Sequence, residues 1–168
     1  GSVGIGSIFH LAGEIFSQSA HVKMTHVAYR GGAPAVTDLM AGAVSFALMD
    51  ASTVVPQMKT GRLKVLGVAS PRRMQNFPDI PTLDEQGLAG FEAFAWQGML
   101  VPAGTSGATV EALNRALGAA LASQPVKDFF ASIAVEPWFS SPGEMASFVA
   151  RENERWGKII RERGITLQ

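Results

Sequence analysis

The chain contains no cysteine. Disulfides, thiolate nucleophiles and cysteine-based metal sites are therefore excluded, while the compartment is left open. An excess of charge of either sign is also missing, because 14 Lys and Arg balance 14 Asp and Glu. Arg72-Arg73 is the one adjacent basic pair, so the chain lacks the basic footprint that nucleic acid requires. No run approaches the roughly 18 apolar residues of a membrane-spanning helix. No basic segment followed by an apolar one marks a signal peptide within these residues. The histidines, His10, His21 and His26, do not have metal-ligand spacing. Internal repeats and low-complexity tracts are absent as well.

What remains is a chain of 168 residues, 47% hydrophobic and 17% charged. That composition supports a packed core and argues against disorder. Its organising stretch is Thr25–Asp50, THVAYRGGAPAVTDLMAGAVSFALMD. β-Branched Thr25 and Val27 fit a short strand that ends at Tyr29-Arg30, and Gly31-Gly32 breaks it. Pro34 belongs in the first turn of a helix, where its missing N–H is not needed. Val36, Leu39 and Met40 share one face at helical spacing, and Gly42 is placed to stop the helix. The apolar run Val44–Met49 reads as a strand buried on both faces, ended by the charge of Asp50. A right-handed strand–helix–strand unit puts both strand ends, Tyr29-Arg30 and Asp50, on one edge of a parallel sheet. That edge is where open α/β sheets bind ligands. A helix over Ala51–Lys59, with Pro56 confined to its first turns, and a strand over Leu63–Ala69 continue the alternation. The order predicts an α/β fold with a parallel sheet.

The preceding stretch, Gly1–Ser7, is glycine-rich, and Ser7 is placed to cap a helix with Ile8, Leu11, Ala12, Ile15 and Phe16 on one face. Backbone N–H groups at such a helix start attract carboxylate or phosphate. A glycine loop that merely permits a tight turn is the competing reading. The dinucleotide fingerprint is not met, because Gly4-x-Gly6 has no third glycine at the required place. Arg30 reads either as a partner for a ligand carboxylate or as a solvated charge at a strand end. Asp50 reads either as an acceptor for a ligand hydroxyl or ammonium or as a helix cap. Facing an anionic ligand, an ionised Asp50 needs water or donors in between. Ser7 and His10, three apart on one helix, do not resemble a nucleophile with a base oriented by a third group. No catalytic residue, metal site or cofactor is expected.

Beyond Ala69, Pro71, Pro78 and Pro81 punctuate an ordered extended loop. Thr82 caps a short turn over Leu83–Gln86, and Phe91–Trp96 alternates as a strand does. A domain crossing is expected between Phe91 and Val101. Three helices follow. One covers Ala108–Ser123 with Val110, Leu113, Leu117, Ala120 and Leu121 facing inward. The second starts at Pro125, and the third runs from a cap at Ser140 or Ser141 to Gly164. Trp138 and Trp156 read as core. This last third is helix-rich with little sheet of its own and is expected to pack on a surface that the chain does not fully supply. Apolar surface left uncovered there is expected to drive a homodimer, with swapping of the C-terminal helices as one route.

Taken in order, GSVGIGS, HLAGEIF, HVAYRGGAPAVTDLMAG, FALMD, GRLKVLGVAS, NFPDIPTLDEQGL and WQGMLVPAGTS resemble the Bug family, the periplasmic substrate-binding proteins of tripartite tricarboxylate transporters. The resemblance implies a type II periplasmic-binding-protein-like α/β fold with the ligand held between two lobes. It assigns residues 1–94 to lobe two, the α/β ligand-binding half. Residues 95–168 become the crossing segment and the helical C-terminal portion of lobe one, with Trp96 at the crossing. The rest of lobe one falls outside the chain. The resemblance further implies a periplasmic location and the binding of small organic acids through backbone N–H groups and bridging waters. Delivery would be to membrane permease subunits. Ligand contacts are assigned to Ser2, Gly6 and Ser7, to Tyr29, Arg30, Gly31 and Gly32, and to Asp50. The alternative is a ligand-sensing or self-associating module of the same fold with no transport role.

Overall fold

The computed structural model describes residues 1–162 and 164–166. Among these the helices are α1 (Ile8–Ser19), α2 (Gly32–Met40), α3 (Ala51–Lys59), α4 (Gly107–Ala122), α5 (Gln124–Ser132) and α6 (Pro142–Glu162). The chain forms two compact units, Gly1–Ala95 together with residues 165 and 166, and Trp96–Gly164.

Local chemistry sets the helix ends. Ser7 caps α1, its Oγ accepting the His10 N–H at 3.2 Å. α2 stops at Gly42, whose φ of +78° suits glycine and few other residues. α6 opens with a reciprocal pair: the Ser141 N–H donates to Glu144 Oε2 at 2.7 Å and the Glu144 N–H donates to Ser141 Oγ at 3.2 Å. Those bonds hold the Glu144 carboxyl below the usual carboxylate range. Thr82 and Glu85 repeat the pattern at the predicted turn, with bonds of 2.7 and 3.0 Å. Arg73 Nε then donates to both Glu85 oxygens, at 3.0 and 2.9 Å, and its Nη1 to the Pro78 carbonyl at 2.9 Å. The proline-punctuated loop is tied down in this way. Pro56 departs from expectation. It sits inside α3, beyond the first turn, and so removes one helical hydrogen bond.

In the first unit the core is built by Phe9, Leu11, Ala12 and Ile15 of α1, Ala35 and Val36 of α2, Val55 of α3, and Phe91 and Ala93. Phe16 stacks on Phe46 at 5.1 Å and meets Phe91 edge-on at 6.3 Å. The extended segments follow the predicted order, but among the described residues their pairing is limited to two parallel bridges, Ser2–Ala28 and Val68–Thr82. In the Phe91–Trp96 segment the Ala93 N–H donates to the Ala69 carbonyl at 2.8 Å and the Phe91 N–H to the Leu88 carbonyl at 2.9 Å. Val44–Met49 is not buried on both faces: Ser45 is exposed and the rest are half-buried. The physical reason is that the run lines, together with Met24–Val27, a cavity of about 370 Å³ and is open on that face. Among the described residues no ladder hydrogen bond joins the two stretches.

The second unit buries little. Its buried apolar side chains are Ala134 and Phe148, and neither α4 nor α5 contains a buried residue. The inward face read for α4 is half-covered at best: Val110, Leu117 and Leu121 are intermediate, Ala120 is exposed, and Leu113 is 43% exposed. Trp138, read as core, is 55% exposed, and Trp156 is half-buried. The periodicity is sound, but an apolar stripe is buried only when a second layer lies on it. The contacts that do hold the unit centre on Phe148, which meets Trp96 at 5.2 Å and Trp138 at 4.8 Å, both edge-on. Asn114 Nδ2 also donates to the Ser140 carbonyl at 2.9 Å.

Candidate functional site

Helices α1, α2 and α3 start at Ser7, Gly31 and Asp50, and backbone contacts draw these starts into one region. Ser2 pairs with the segment entering α2: its N–H donates to the Val27 carbonyl at 3.0 Å, and the Tyr29 N–H donates to the Ser2 carbonyl at 3.0 Å. The first residue of α2 touches the first turn of α3 so closely that a Cβ on Gly32 would lie 2.8 Å from Thr53 Cγ2 and 3.0 Å from Thr53 Oγ1. The loop Gly1–Ser7, the turn Tyr29–Gly32 and the start of α3 at Asp50 thus adjoin one another in sequence.

The first N–H groups of each helix have no intrahelical partner and carry partial positive charge. At α2 and α3 no side chain caps them: Gly31 has none to offer, and the Asp50 carboxyl makes no cap bond. The loop before α1 differs, because it satisfies itself. The Gly4 N–H donates to Ser2 Oγ at 3.3 Å, the Gly6 N–H to His10 Nδ1 at 3.2 Å, and the Ser7 N–H to the Gly4 carbonyl at 3.3 Å. Ser7 Oγ donates to the same carbonyl at 2.7 Å. Ser2 is 1% exposed and its Oγ lies 2.7 Å from His26 Nε2. Ser2, Gly6 and Ser7 therefore form an internally bonded wall, and α2 and α3 are the starts without a side-chain cap.

The Tyr29 hydroxyl donates to Asp38 Oδ2 at 2.8 Å, which fastens the turn to its own helix. Desolvation and then that bond push the phenol above its ordinary pKa. Arg30 is exposed and has no hydrogen bond or ion pair among the described residues. Gly31 has φ +110°, a conformation that a side chain would strain. Asp50 is half-buried, and desolvation raises its carboxyl above the ordinary range, opposed by a smaller backbone hydrogen bond. The folded state thus holds the Asp50 proton more tightly than the unfolded state does, so this group's contribution to stability falls as pH rises through its titration. Asp50→Asn is expected to melt higher than the parent at neutral pH, with the gap closing as pH drops below the carboxylate range. Parallel thermal melts from pH 3 to pH 8 read this directly.

Two features near these starts have no counterpart in the spacing of the sequence. Thr53 faces Gly32, as above. The rings of His10 and His26 stack at 4.1 Å and 14° behind the loop. His10 is 7% exposed, with Nε2 3.8 Å from Glu14 Oε1.

The cavity along α1 is a separate feature. It is lined by His10, Glu14, His26, Val44 and Phe46 among others, and shares Ser2 with the region of the helix starts. Glu14 on its wall disfavours a bound anion, whereas open helix N-termini favour one. No group of three or more His, Asp or Glu among the described residues is arranged to hold a metal ion. No helix among the described residues is long and apolar enough to cross a membrane.

Residues 1–165 match the model of the tripartite tricarboxylate transporter family receptor, TctC. Similar solved structures include R. palustris Rpa4515 with adipate, 31% identical, with a TM-score of 0.89 over 98% of this chain and 56% of that one. The periplasmic binding protein BugD is 30% identical with a TM-score of 0.84, over 99% of this chain and 57% of that one. MatC (Rpa3494) from Rhodopseudomonas palustris with bound malate is 28% identical with a TM-score of 0.77, over 92% and 54%. The chain spans about half the length of the curated relatives it matches. These likenesses extend over nearly the whole chain, and the fold is that of the periplasmic binding proteins. The chain belongs to the tripartite tricarboxylate transporter receptor family, the solute-binding proteins that include the Bug proteins.

Proposed function

We propose that this chain carries one jaw of an extracytoplasmic solute-binding site for small dicarboxylates, serving a tripartite tricarboxylate permease. The observation that carries this reading is the meeting of the uncapped starts of α2 and α3, with Arg30 exposed beside them. Uncapped N–H groups at two helix starts supply donors and positive potential for a carboxylate without a metal. Gly31 and Gly32 give backbone N–H groups free of side-chain obstruction. Arg30 supplies the charge, and Tyr29 holds the turn through Asp38. Ser2, Gly6 and Ser7 form the adjacent wall, contacting ligand or its waters. Asp50 accepts from a ligand hydroxyl or from a bridging water. Residues 1–94 are the ligand-binding lobe in this reading, and residues 95–168 are the crossing and the C-terminal part of the other lobe. The location is the periplasm.

A charge-assisted hydrogen bond contributes about 1.5–3 kcal/mol. Arg30→Gln is therefore expected to weaken adipate binding by about tenfold or more, with a smaller salt dependence than the parent. Calorimetric titration with adipate and malate measures both. Equal affinities in the two proteins would remove Arg30 from the site, and a parent that binds neither acid would contradict the reading as a whole.

The second unit favours an additional property, self-association. Met99 is 68% exposed, Leu100 84%, Phe129 60% and Trp138 55%. A second copy of this chain is the proposed partner for that surface. Sedimentation of a clean monomer at high concentration contradicts it.

A further inference from the structure

We propose that His10 and His26 are positioning residues for the Gly1–Ser7 loop, held behind it through Gly6 and Ser2, and that a proton on His10 releases the loop at Gly6. The proposal rests on the reading of that loop as a wall of the carboxylate site.

The hydrogen bonds fix the chemistry. A backbone N–H can only donate, so the 3.2 Å contact from the Gly6 N–H makes His10 Nδ1 an acceptor. His10 is therefore the neutral tautomer with its proton on Nε2, the nitrogen on the side of Glu14. A ring protonated at both nitrogens cannot accept, and the Gly6 N–H would lose its partner. His26 acts on the other end of the loop: its Nε2 is 2.7 Å from Ser2 Oγ, and that buried hydroxyl also reaches the Gly4 N–H and carbonyl at 3.3 and 3.2 Å. One ring thus holds Gly6, and the other holds Ser2 and through it Gly4. The stacking at 4.1 Å couples the two rings, since positive charge on one opposes positive charge on the other.

The charged group facing the pair is Glu14 from α1. Burial and then His10 push the His26 pKa below its ordinary value, while Glu14 opposes them. The folded state therefore binds this proton less tightly than the unfolded state does. His26's contribution to stability is complete above the ordinary histidine range and is lost as pH falls toward the lowered value. At mildly acid pH the Gly6 end of the loop gives way first, because its N–H needs an unprotonated imidazole nitrogen, whereas His26 Nε2–H, donating to Ser2 Oγ while that hydroxyl donates to the Gly4 carbonyl, keeps its bond when protonated.

Amide hydrogen exchange of residues 3–9, corrected for intrinsic rates, tests this on the whole chain without ligand. Protection is expected to fall about tenfold or more between pH 7.5 and pH 5 in the parent. His10→Asn and His26→Gln together keep hydrogen-bonding atoms near Nδ1 and Nε2 but do not titrate, and should keep the protection at both pH values. An equal fall in the double variant overturns the proposal. A second measurement needs no variant: in the parent, the Gly6 amide resonance should move with the same midpoint as the His10 ring, and His10 should carry its neutral proton on Nε2. A His10 ring protonated on Nδ1, or a Gly6 amide indifferent to the ring, overturns it as well. Adipate titration at pH 7.5 separates the two readings. If the loop responds to pH as described but no dicarboxylate binds, the site reading fails and the positioning role stands.

Discussion

Phe148→Ala is expected to unfold the Trp96–Gly164 unit ahead of the rest of the chain. Phe148 is 9% exposed and is one of two buried apolar side chains in its unit, the other being the small Ala134. Its ring meets Trp96 and Trp138 edge-on, so one side chain joins α6 to the two extended stretches on either side of α4 and α5. Truncating a buried phenylalanine costs about 3–5 kcal/mol, and each aromatic pair adds about 0.5–1.5 kcal/mol beyond its buried area. At roughly 4–8 °C per kcal/mol for a separately melting unit of under 100 residues, the melting temperature of that unit should fall by about 12–40 °C. Trp96, Trp138 and Trp156 all lie in the second unit. Tryptophan fluorescence therefore reports that unit alone, while far-UV circular dichroism reports both. The two melts should separate in the variant, and a fluorescence melt unchanged from the parent would show that Phe148 does not hold the unit together. Phe148→Leu, which keeps most of the volume, should lose much less.

Gly32→Ala has the next largest expected effect, and two opposing terms decide its sign. Alanine within a helix is favoured over glycine by up to about 1 kcal/mol. Against that, the new Cβ meets Thr53 Cγ2 at 2.8 Å and Oγ1 at 3.0 Å, closer than side chains pack. Overpacking of this kind costs about 1–3 kcal/mol, so the clash outweighs the propensity and the variant should be less stable. Thr53→Ala removes both offending atoms and leaves only Cβ, 3.4 Å from the new carbon, at ordinary contact. The double variant Gly32→Ala, Thr53→Ala should therefore recover, and should exceed Thr53→Ala alone because the propensity gain survives. A double-mutant cycle in thermal stability measures this coupling. Adipate affinity should follow the same order, since the clash separates the starts of α2 and α3, where the carboxylate site is proposed. Additive effects would show that the two helices do not meet at Gly32 and Thr53.

The helices were legible in the sequence because their ends are written locally. Ser7, Gly42 and the Ser141–Glu144 pair each act within a turn or so of the residues they limit. Strand pairing is not local. Val44–Met49 has the composition of a doubly covered strand, but it lines a cavity, and nothing within the run encodes that opening. The same limit applies to α4, whose stripe of Val110, Leu113 and Leu117 marks a face without stating what covers it. For the candidate site, the pattern of strand, glycine turn and helix gave the expectation that Tyr29–Gly32 and Asp50 share an edge, and the structure brings Gly32 against Thr53 in the first turn of α3. The pattern did not reveal that the Gly1–Ser7 amides are largely spent within the loop and on His10, because those bonds run to a residue defined only once α1 has folded back. Nor did it reveal the stacked histidines, which come from a helix and an extended segment with no common period.

The most direct measurement is a titration of the isotopically labelled chain with adipate, read at each backbone amide. The expected result is a saturable shift centred on Gly31, Gly32 and Ala33 at the start of α2 and on Ala51 and Ser52 at the start of α3, weakened in Arg30→Gln. Shifts confined to the cavity lined by His10, Glu14 and Phe46, or no shift at any amide, would contradict a carboxylate site at the helix starts.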